Sequence, residues 1–252
     1  MQRLPFPHPI YKISPDPYEP YLGIEFRDSE QRKAYVQLVT CHENGQCIPD
    51  QINLAVEVPW WINFLGCFHG ILLYHSFDNP EVPRPTALYA IDGCTGQPLW
   101  TVSGVIWQET IDQMISVQVI EEKNIFLDLR TGMQTTISSP TIPITEIGIP
   151  RHYPEGNQYL NALQKLIRYI TENQPIGACD YLELPSLIII SYYFYEADKL
   201  KNNLLIVTKT GQVQWHESLF LGEAQGHTTF VSWRHQVIYI KDQVYLCCYA
   251  VS

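Results

Sequence analysis

The stretch from Ala87 to Trp100, ALYAIDGCTGQPLW, restricts the fold more than any other part of the chain. Leu88, Tyr89, Ala90 and Ile91 form a β-prone run in which successive side chains leave on opposite faces, the period of a strand. Asp92 to Gly96 read as a turn, with Gly96 placed where a positive φ would penalise any residue bearing a Cβ. Leu99, Trp100 and Val102 then open a return strand. The same design recurs in CHENGQC around Gly45, LRTGMQT around Gly132 and TKTGQVQ around Gly211. Each follows an alternating run: AYVQLVT, NIFLDL and NLLIVT. A further strand lies upstream of each turn, in YLGIEFRD from Tyr21, GILLYHSF from Gly70, ISVQVIE from Ile115 and LIIISYYFY from Leu187.

Near the C-terminus, QVIYIKDQVYLCCYAV predicts two strands, Val237–Lys241 and Val244–Val251, joined by a tight turn at Asp242-Gln243 and preceded by TTFVSW. The chain therefore reads as a series of antiparallel meanders, each too small to bury its own apolar faces. Repetition of about four strands every 40–50 residues or so is the pattern of a β-propeller, in which neighbouring sheets cover one another around a ring. The expected fold is all-β, one domain over 1–252, with about five blades (five or six). Ile10–Ser14 is a short strand with no evident sheet of its own. It is expected to complete or abut the C-terminal blade and lock the ring, because an unpaired edge is a liability.

One segment breaks the pattern. Over 140–177, Leu160, Leu163, Leu166, Ile167 and Ile170 recur at helical spacing. Asn157 is the expected N-cap, and Pro175 lies beyond the expected end. The segment predicts an amphipathic helix inserted between blades, packed on the outside or over one face of the ring, covering an edge between blades rather than forming a lid over a site.

Composition narrows the function classes. A chain with 46% hydrophobic and 17% charged residues can fill a core and does not read as disordered. Its formal net charge of −10, without any Lys/Arg-rich run, argues against nucleic acid and anionic membrane surfaces as partners. The N-terminal MQRLPFPHPIYKISPDPYEP has no apolar run of the kind found in a secretory leader. LPSLIIISYYFY is too short to span a bilayer as a helix. The expectation is a cytoplasmic protein.

No nucleotide-binding, zinc-protease or serine-hydrolase motif occurs, and no catalytic residue, metal ligand or cofactor is assigned. The eight histidines are scattered, with His152-Tyr153 and His227 expected in loops. The seven cysteines contain no C-x-x-C pair. They read mainly as small buried hydrophobes, although Cys41 and Cys47 flank HENGQ and could face each other across it. Cys247 and Cys248 are adjacent in one strand and should point to opposite faces.

Two features suggest a contact surface. In VPWWINF the adjacent Trp60 and Trp61 cannot both enter one side of a strand, so one is expected to be buried and the other to stand at a rim or channel. The stiff loop DNPEVPRP joins two strands of the same blade. Loops on rigid scaffolds are where binding concentrates. The candidate binding residues are Trp60, Trp61, Asp78, Arg84 and His227. The alternating charges of FRDSEQRKAY read as a solvated hairpin turn.

The segment from Gly66 to Trp100 resembles one repeat of the quinoprotein-like propeller family, whose repeats run strand, LYALD, TG and then LW. KTGQVQW, ending at Trp215, is a poorer second match. Gly132 keeps the TG without a following Trp, and Gly45 keeps only the Gly. The chain as a whole resembles an uncharacterised family of bacterial proteins of about this length, through YLGIEFRDSEQRKAYVQLV, PWWINFLGCFHGILLYHSFDNPEVP, FLDLRTG and the C-terminal QVIYIKDQVYLCCYAV. This resemblance implies a propeller and carries no activity. The quinone-dependent enzymes have larger rings and a calcium ion beside the cofactor, and no cluster with calcium-ligand spacing occurs here. Together these readings point to a non-enzymatic propeller that binds a protein partner or a small ligand through one ring face or the central funnel. The alternative is an enzyme or cofactor binder with its site in that funnel.

Overall fold

Period-two alternation becomes antiparallel strand almost throughout. The protein is described by a computed structural model covering residues 2–41, 47–48, 55–79, 81, 84–119, 124–136, 144–221 and 230–251. After β1 (Gln2–Pro5) comes sheet 1, formed by β2 (Ile10–Pro15), β3 (Tyr21–Asp28), β4 (Lys33–Cys41) and β5 (Cys47–Ile48), with β6 (Val56–Val58) also pairing β4. Sheet 2 contains β7 (Ile62–Phe68), β8 (Ile71–Ser76), β9 (Ala87–Asp92) and β10 (Pro98–Ser103). Sheet 3 contains β11 (Val105–Ile111), β12 (Met114–Val119), β13 (Asn124–Asp128) and β14 (Gln134–Thr135). Next come β15 (Ile147–Gly148), β16 (Arg151–Tyr153) and the helix α1 (Leu160–Thr171). Sheet 4 joins β16 to β17 (Pro175–Glu183), β18 (Leu187–Glu196), β19 (Lys199–Thr208) and β20 (Val213–Leu221). Sheet 5 is built on β21 (Phe230–Trp233), β22 (Gln236–Lys241) and β23 (Tyr245–Ala250), in the order β1-β23-β22-β21-β15. The fold is all-β with one helix among the described residues. Five meander sheets follow one another in chain order. Two compact units are present: residues 6–146 carry sheets 1 to 3, and residues 3–5 with 147–252 carry sheets 4 and 5.

Short polar side chains shape the hairpins. Asp92 Oδ1 accepts from the backbone N–H of Cys94 and Thr95 and from the Thr95 hydroxyl, while Gly96 N–H donates to Asp92 O. Asp128, Thr131 and Gly132 repeat this arrangement in sheet 3. In sheet 4 Thr208 replaces the aspartate and Gly211 N–H still closes on its carbonyl. Gly96, Gly132 and Gly211 all have positive φ, the conformation that glycine tolerates best. A fourth version joins β3 to β4, where Asp28 accepts from Glu30 and Gln31, and Arg32 takes the left-handed position at φ 52°.

Sheet 2 is covered on both faces, which explains why every position of β8 is buried. Leu72 and Tyr74 pack with Ala34, Val36 and Leu38 of sheet 1. Ile71 and Leu73 pack with Val105, Ile115 and Val117 of sheet 3. Trp100 ties the second seam: its indole N–H donates to Leu129 O at 2.9 Å, and its ring lies 2.7 Å from where a Cβ on Gly132 would stand. The Trp215 turn has no such fit, since space beside Gly211 is open and Trp215 packs on Tyr249, 5.4 Å between ring centroids.

His75 adds a polar tie at the same seam. It is 2% exposed, its Nδ1 donates to Ala87 O at 3.0 Å and its Nε2 accepts from Trp107 N–H at 2.9 Å. That pairing demands the neutral ring. Burial lowers its pKa from the ordinary 6.5, against the opposing bond to Ala87. Stability from this group is therefore complete above about pH 6.5 and declines as the unfolded chain takes up the proton at lower pH. Urea unfolding from pH 7 to pH 5 should show His75→Asn losing less stability on acidification than the parent, by up to about 1.4 kcal/mol per pH unit for one proton. Parallel losses would remove His75 from this role.

In the second unit, Ile189, Leu204 and Ile206 of sheet 4 pack against Phe230, Val237 and Tyr239 of sheet 5. The opposite face of sheet 4 is covered by α1, through Leu160 and Ile167 against Ile190, Tyr192 and Leu205. The expected helix thus forms and lies over one face of a sheet.

Four local expectations are corrected. Ile10–Ser14 does not join the C-terminal sheet: β2 pairs with β3 inside sheet 1. The strand that completes sheet 5 is β1, only four residues long and too short to show an apolar period. Its Arg3 donates to Glu217 at 2.6 Å, which also receives Lys241 and, at 2.6 Å, the Tyr239 hydroxyl. Asn157 is not the N-cap, because its side chain accepts from Tyr159 N–H in a turn one step earlier; Tyr159 occupies the cap without a side-chain bond. His152-Tyr153 lie in β16, paired with Asp180 and Cys179 of β17, so part of the stretch assigned to the insertion is strand.

Candidate functional site

The surface that stands out begins with an irregularity in sheet 1. Ile10 pairs with Phe26 and Lys12 pairs with Glu25, leaving Tyr11 as the extra residue of a bulge. Bulges re-aim side chains, and Tyr11 is 60% exposed. The Arg27 guanidinium carbon lies 4.1 Å from the Tyr11 ring centroid and 5.2 Å from that of Trp60. Arg27 is held from below: its Nε donates to Glu25 Oε1 at 2.6 Å and its Nη2 to Ile62 O at 3.3 Å.

Glu25 is 1% exposed. Burial raises its pKa, offset by the charges of Arg27 and Lys12. Lys12 donates to Phe64 O at 2.5 Å, and burial lowers its pKa against the pull of Glu25. One carboxylate thus supports two cations, and the stacked guanidinium has little freedom left to lose on contact.

The paired tryptophans divide the work. Trp60 is half-buried and packs against the cluster between sheets 1 and 2. Trp61 is 47% exposed, its ring 6.5 Å from that of Trp60 at an interplanar angle of 76°. Phe77 N–H donates to Trp61 O at 3.0 Å and Thr86 N–H donates to Ser76 O at 2.9 Å. Both ends of the intervening loop are therefore pinned beside Trp61, and the exposed Asp78 and Arg84 belong to it. Trp60, Trp61, Asp78 and Arg84 gather at one end of sheet 2. His227 lies outside the described residues.

Sequence reading missed Tyr11 and Arg27. The Arg27 pairing was accessible, since Glu25 and Arg27 are two apart in one strand and share a face. The exposure of Tyr11 depends on a bulge that no residue of IYKIS announces.

A second polar cluster has a structural task. Asp16 accepts from the backbone N–H of Tyr18, Glu19 and Gly70 and from the Cys67 thiol. His69 Nε2 lies 3.0 Å from Asp112 Oδ1, its ring stacks on Tyr18 at 4.3 Å, and Asp112 N–H donates to the Tyr18 hydroxyl at 2.5 Å. Burial, with Asp16 beside it, pushes the Cys67 thiol well up. These groups lie at the β2–β3, β7–β8 and β11–β12 connections and join the ends of three sheets, away from solvent. Among the described residues, no group of three or more His, Cys, Asp or Glu side chains is arranged to hold a metal ion. No helix among them is long and apolar enough to cross a membrane.

A family model described as a domain of unknown function (DUF4905) matches residues 15–100, about a third of the chain. That span contains Arg27, Trp60, Trp61, Asp78 and Arg84. No curated protein matches the chain. Among solved structures, the crystal structure of BamB from Moraxella catarrhalis is similar with a TM-score of 0.25 and 10% identity, covering 96% of this chain and 85% of that one.

Proposed function

We propose that the chain is a non-enzymatic binding module that docks a protein partner on Tyr11 and Trp61. Arg27 and Trp60 support the surface, and the loop carrying Asp78 and Arg84 flanks it. The repeated Asp-x-x-Thr-Gly turns and the Trp100 tie are read as quinoprotein-like repeats serving as scaffold. The observation that carries this reading is the pair of exposed rings beside a stacked, carboxylate-anchored guanidinium. Tyr, Trp and Arg supply a disproportionate share of energy at protein interfaces, and rings lose little conformational entropy when covered. A protein partner fits better than a small ligand because these groups spread along the ends of two sheets.

The test is capture from a lysate of the native host on immobilised wild type, Tyr11→Ala/Trp61→Ala and Trp60→Ala, each characterised by urea unfolding. The double variant should lose a specific partner with stability changed by no more than about 0.5 kcal/mol per exposed site. Trp60→Ala should cost about 2 kcal/mol through lost packing. Capture of the same proteins by the double variant and wild type would defeat the assignment.

A further inference from the structure

A guanidinium carries five N–H donors, and the chain occupies three of those on Arg27. Nε and one N–H of Nη2 point at Glu25 Oε1, at 2.6 and 2.5 Å, and Nη2 also donates to Ile62 O at 3.3 Å. The two donors of Nη1 meet no acceptor among the described residues. The carboxylate that balances Arg27 is shared as well. Glu25 also faces the Lys12 ammonium, whose own donor goes to the neutral Phe64 O. Two cations therefore divide one carboxylate. Asp78 and Glu81 of the flanking loop are exposed, and neither is paired with Arg27. What remains open is narrow. The Arg27 side chain is 14% exposed, and the Tyr11 and Trp60 rings crowd it at 4.1 and 5.2 Å. An acceptor has to arrive edge-on at Nη1, where the rings thin out water and a charge-assisted hydrogen bond is strong.

We infer that the protein partner docks here through a segment in which one Asp or Glu, beside an aromatic or aliphatic residue, delivers its carboxylate to Nη1 of Arg27. The inference rests on the docking role proposed above for Tyr11 and Trp61. The incoming carboxylate matches the positive charge that Glu25 leaves over, and the apolar neighbour covers the exposed Trp61 ring. A densely charged anion is disfavoured, because the chain's net charge of −10 repels it at long range. A single carboxylate among apolar side chains brings the matching charge and little more. A neutral amide oxygen can accept from the same two donors but leaves the excess charge unmatched, so acid against amide is the distinguishing comparison.

The probe is a phage-displayed library of random peptides, panned on the immobilised folded protein and on Tyr11→Ala/Trp61→Ala. Peptides retained by wild type and lost on the double variant should share an Asp or Glu next to an aromatic or aliphatic residue. Synthesised with Asn or Gln in place of that acid, they should bind wild type about tenfold more weakly by calorimetry, a difference of about 1.4 kcal/mol. On Arg27→Gln the acid and amide forms should bind equally. The peptide series on wild type decides the matter by itself if that variant fails to fold. Peptides that depend on Tyr11 and Trp61 yet bind as tightly in the amide form would overturn this inference and leave the docking surface standing. Failure to select any peptide dependent on Tyr11 and Trp61 would overturn it too, and capture from the host lysate then shows separately whether the docking surface falls with it.

Discussion

Glu217→Ala should destabilise the protein by about 2 kcal/mol, the cost of leaving the partly buried Lys241 and the Tyr239 hydroxyl without their acceptor. The Glu217 carboxylate is 9% exposed and holds Arg3 of the N-terminal strand, Lys241 and the Tyr239 hydroxyl at one point. Burial alone would raise its pKa; the bonds from Lys241 and Tyr239 and the charges of Lys241 and Arg3 outweigh this and leave it lowered. With a lowered folded value, its contribution is complete above the ordinary 4.5 and is lost as pH falls through the folded pKa. Glu217→Gln should fall between wild type and Glu217→Ala, because the amide oxygen can still accept from Tyr239. Urea midpoints at pH 7 and pH 4 give the ranking. A loss below about 1 kcal/mol for Glu217→Ala, the range of surface pairs, would mean this cluster is no clamp.

Trp100→Ala and Gly132→Ala should each cost about 3 kcal/mol and be strongly non-additive. Removing the indole opens a void at the seam between sheets 2 and 3 and leaves Leu129 O without its donor. A Cβ on Gly132 would stand 2.7 Å from the ring, and its φ of +67° adds roughly 1–2 kcal/mol of strain. Once Trp100 is gone that collision disappears, so the double variant should be more stable than the summed single losses. Additive losses would show that ring and glycine do not act together.

What was legible in the sequence is what depends on local chemistry. The Asp-x-x-Thr-Gly turns could be read because glycine and a short acceptor mark them. The turn at Asp242-Gln243 is present, with both residues at positive φ, as the bracketing alternation required. The helix was legible because its apolar stripe is wide. Other left-handed turns carry no glycine, as at Ala197-Asp198 and Arg234-His235, and there tertiary pairing of long strands overrides local preference. The closing strand was misassigned because Ile10–Ser14 shows alternation whereas Gln2–Pro5 does not. In the candidate site, the unequal burial of Trp60 and Trp61 follows from their adjacency. The Arg27 sandwich needs three separate segments to meet, and a linear reading does not give that meeting.

The pairing of β1 with β23 bears on how the protein is made. Arg3 and Tyr245–Ala250 stand about 240 residues apart along the chain. Sheet 5 cannot be finished until both of these distant segments are available to pair. Contacts of such long sequence separation form slowly and expose intermediates to aggregation.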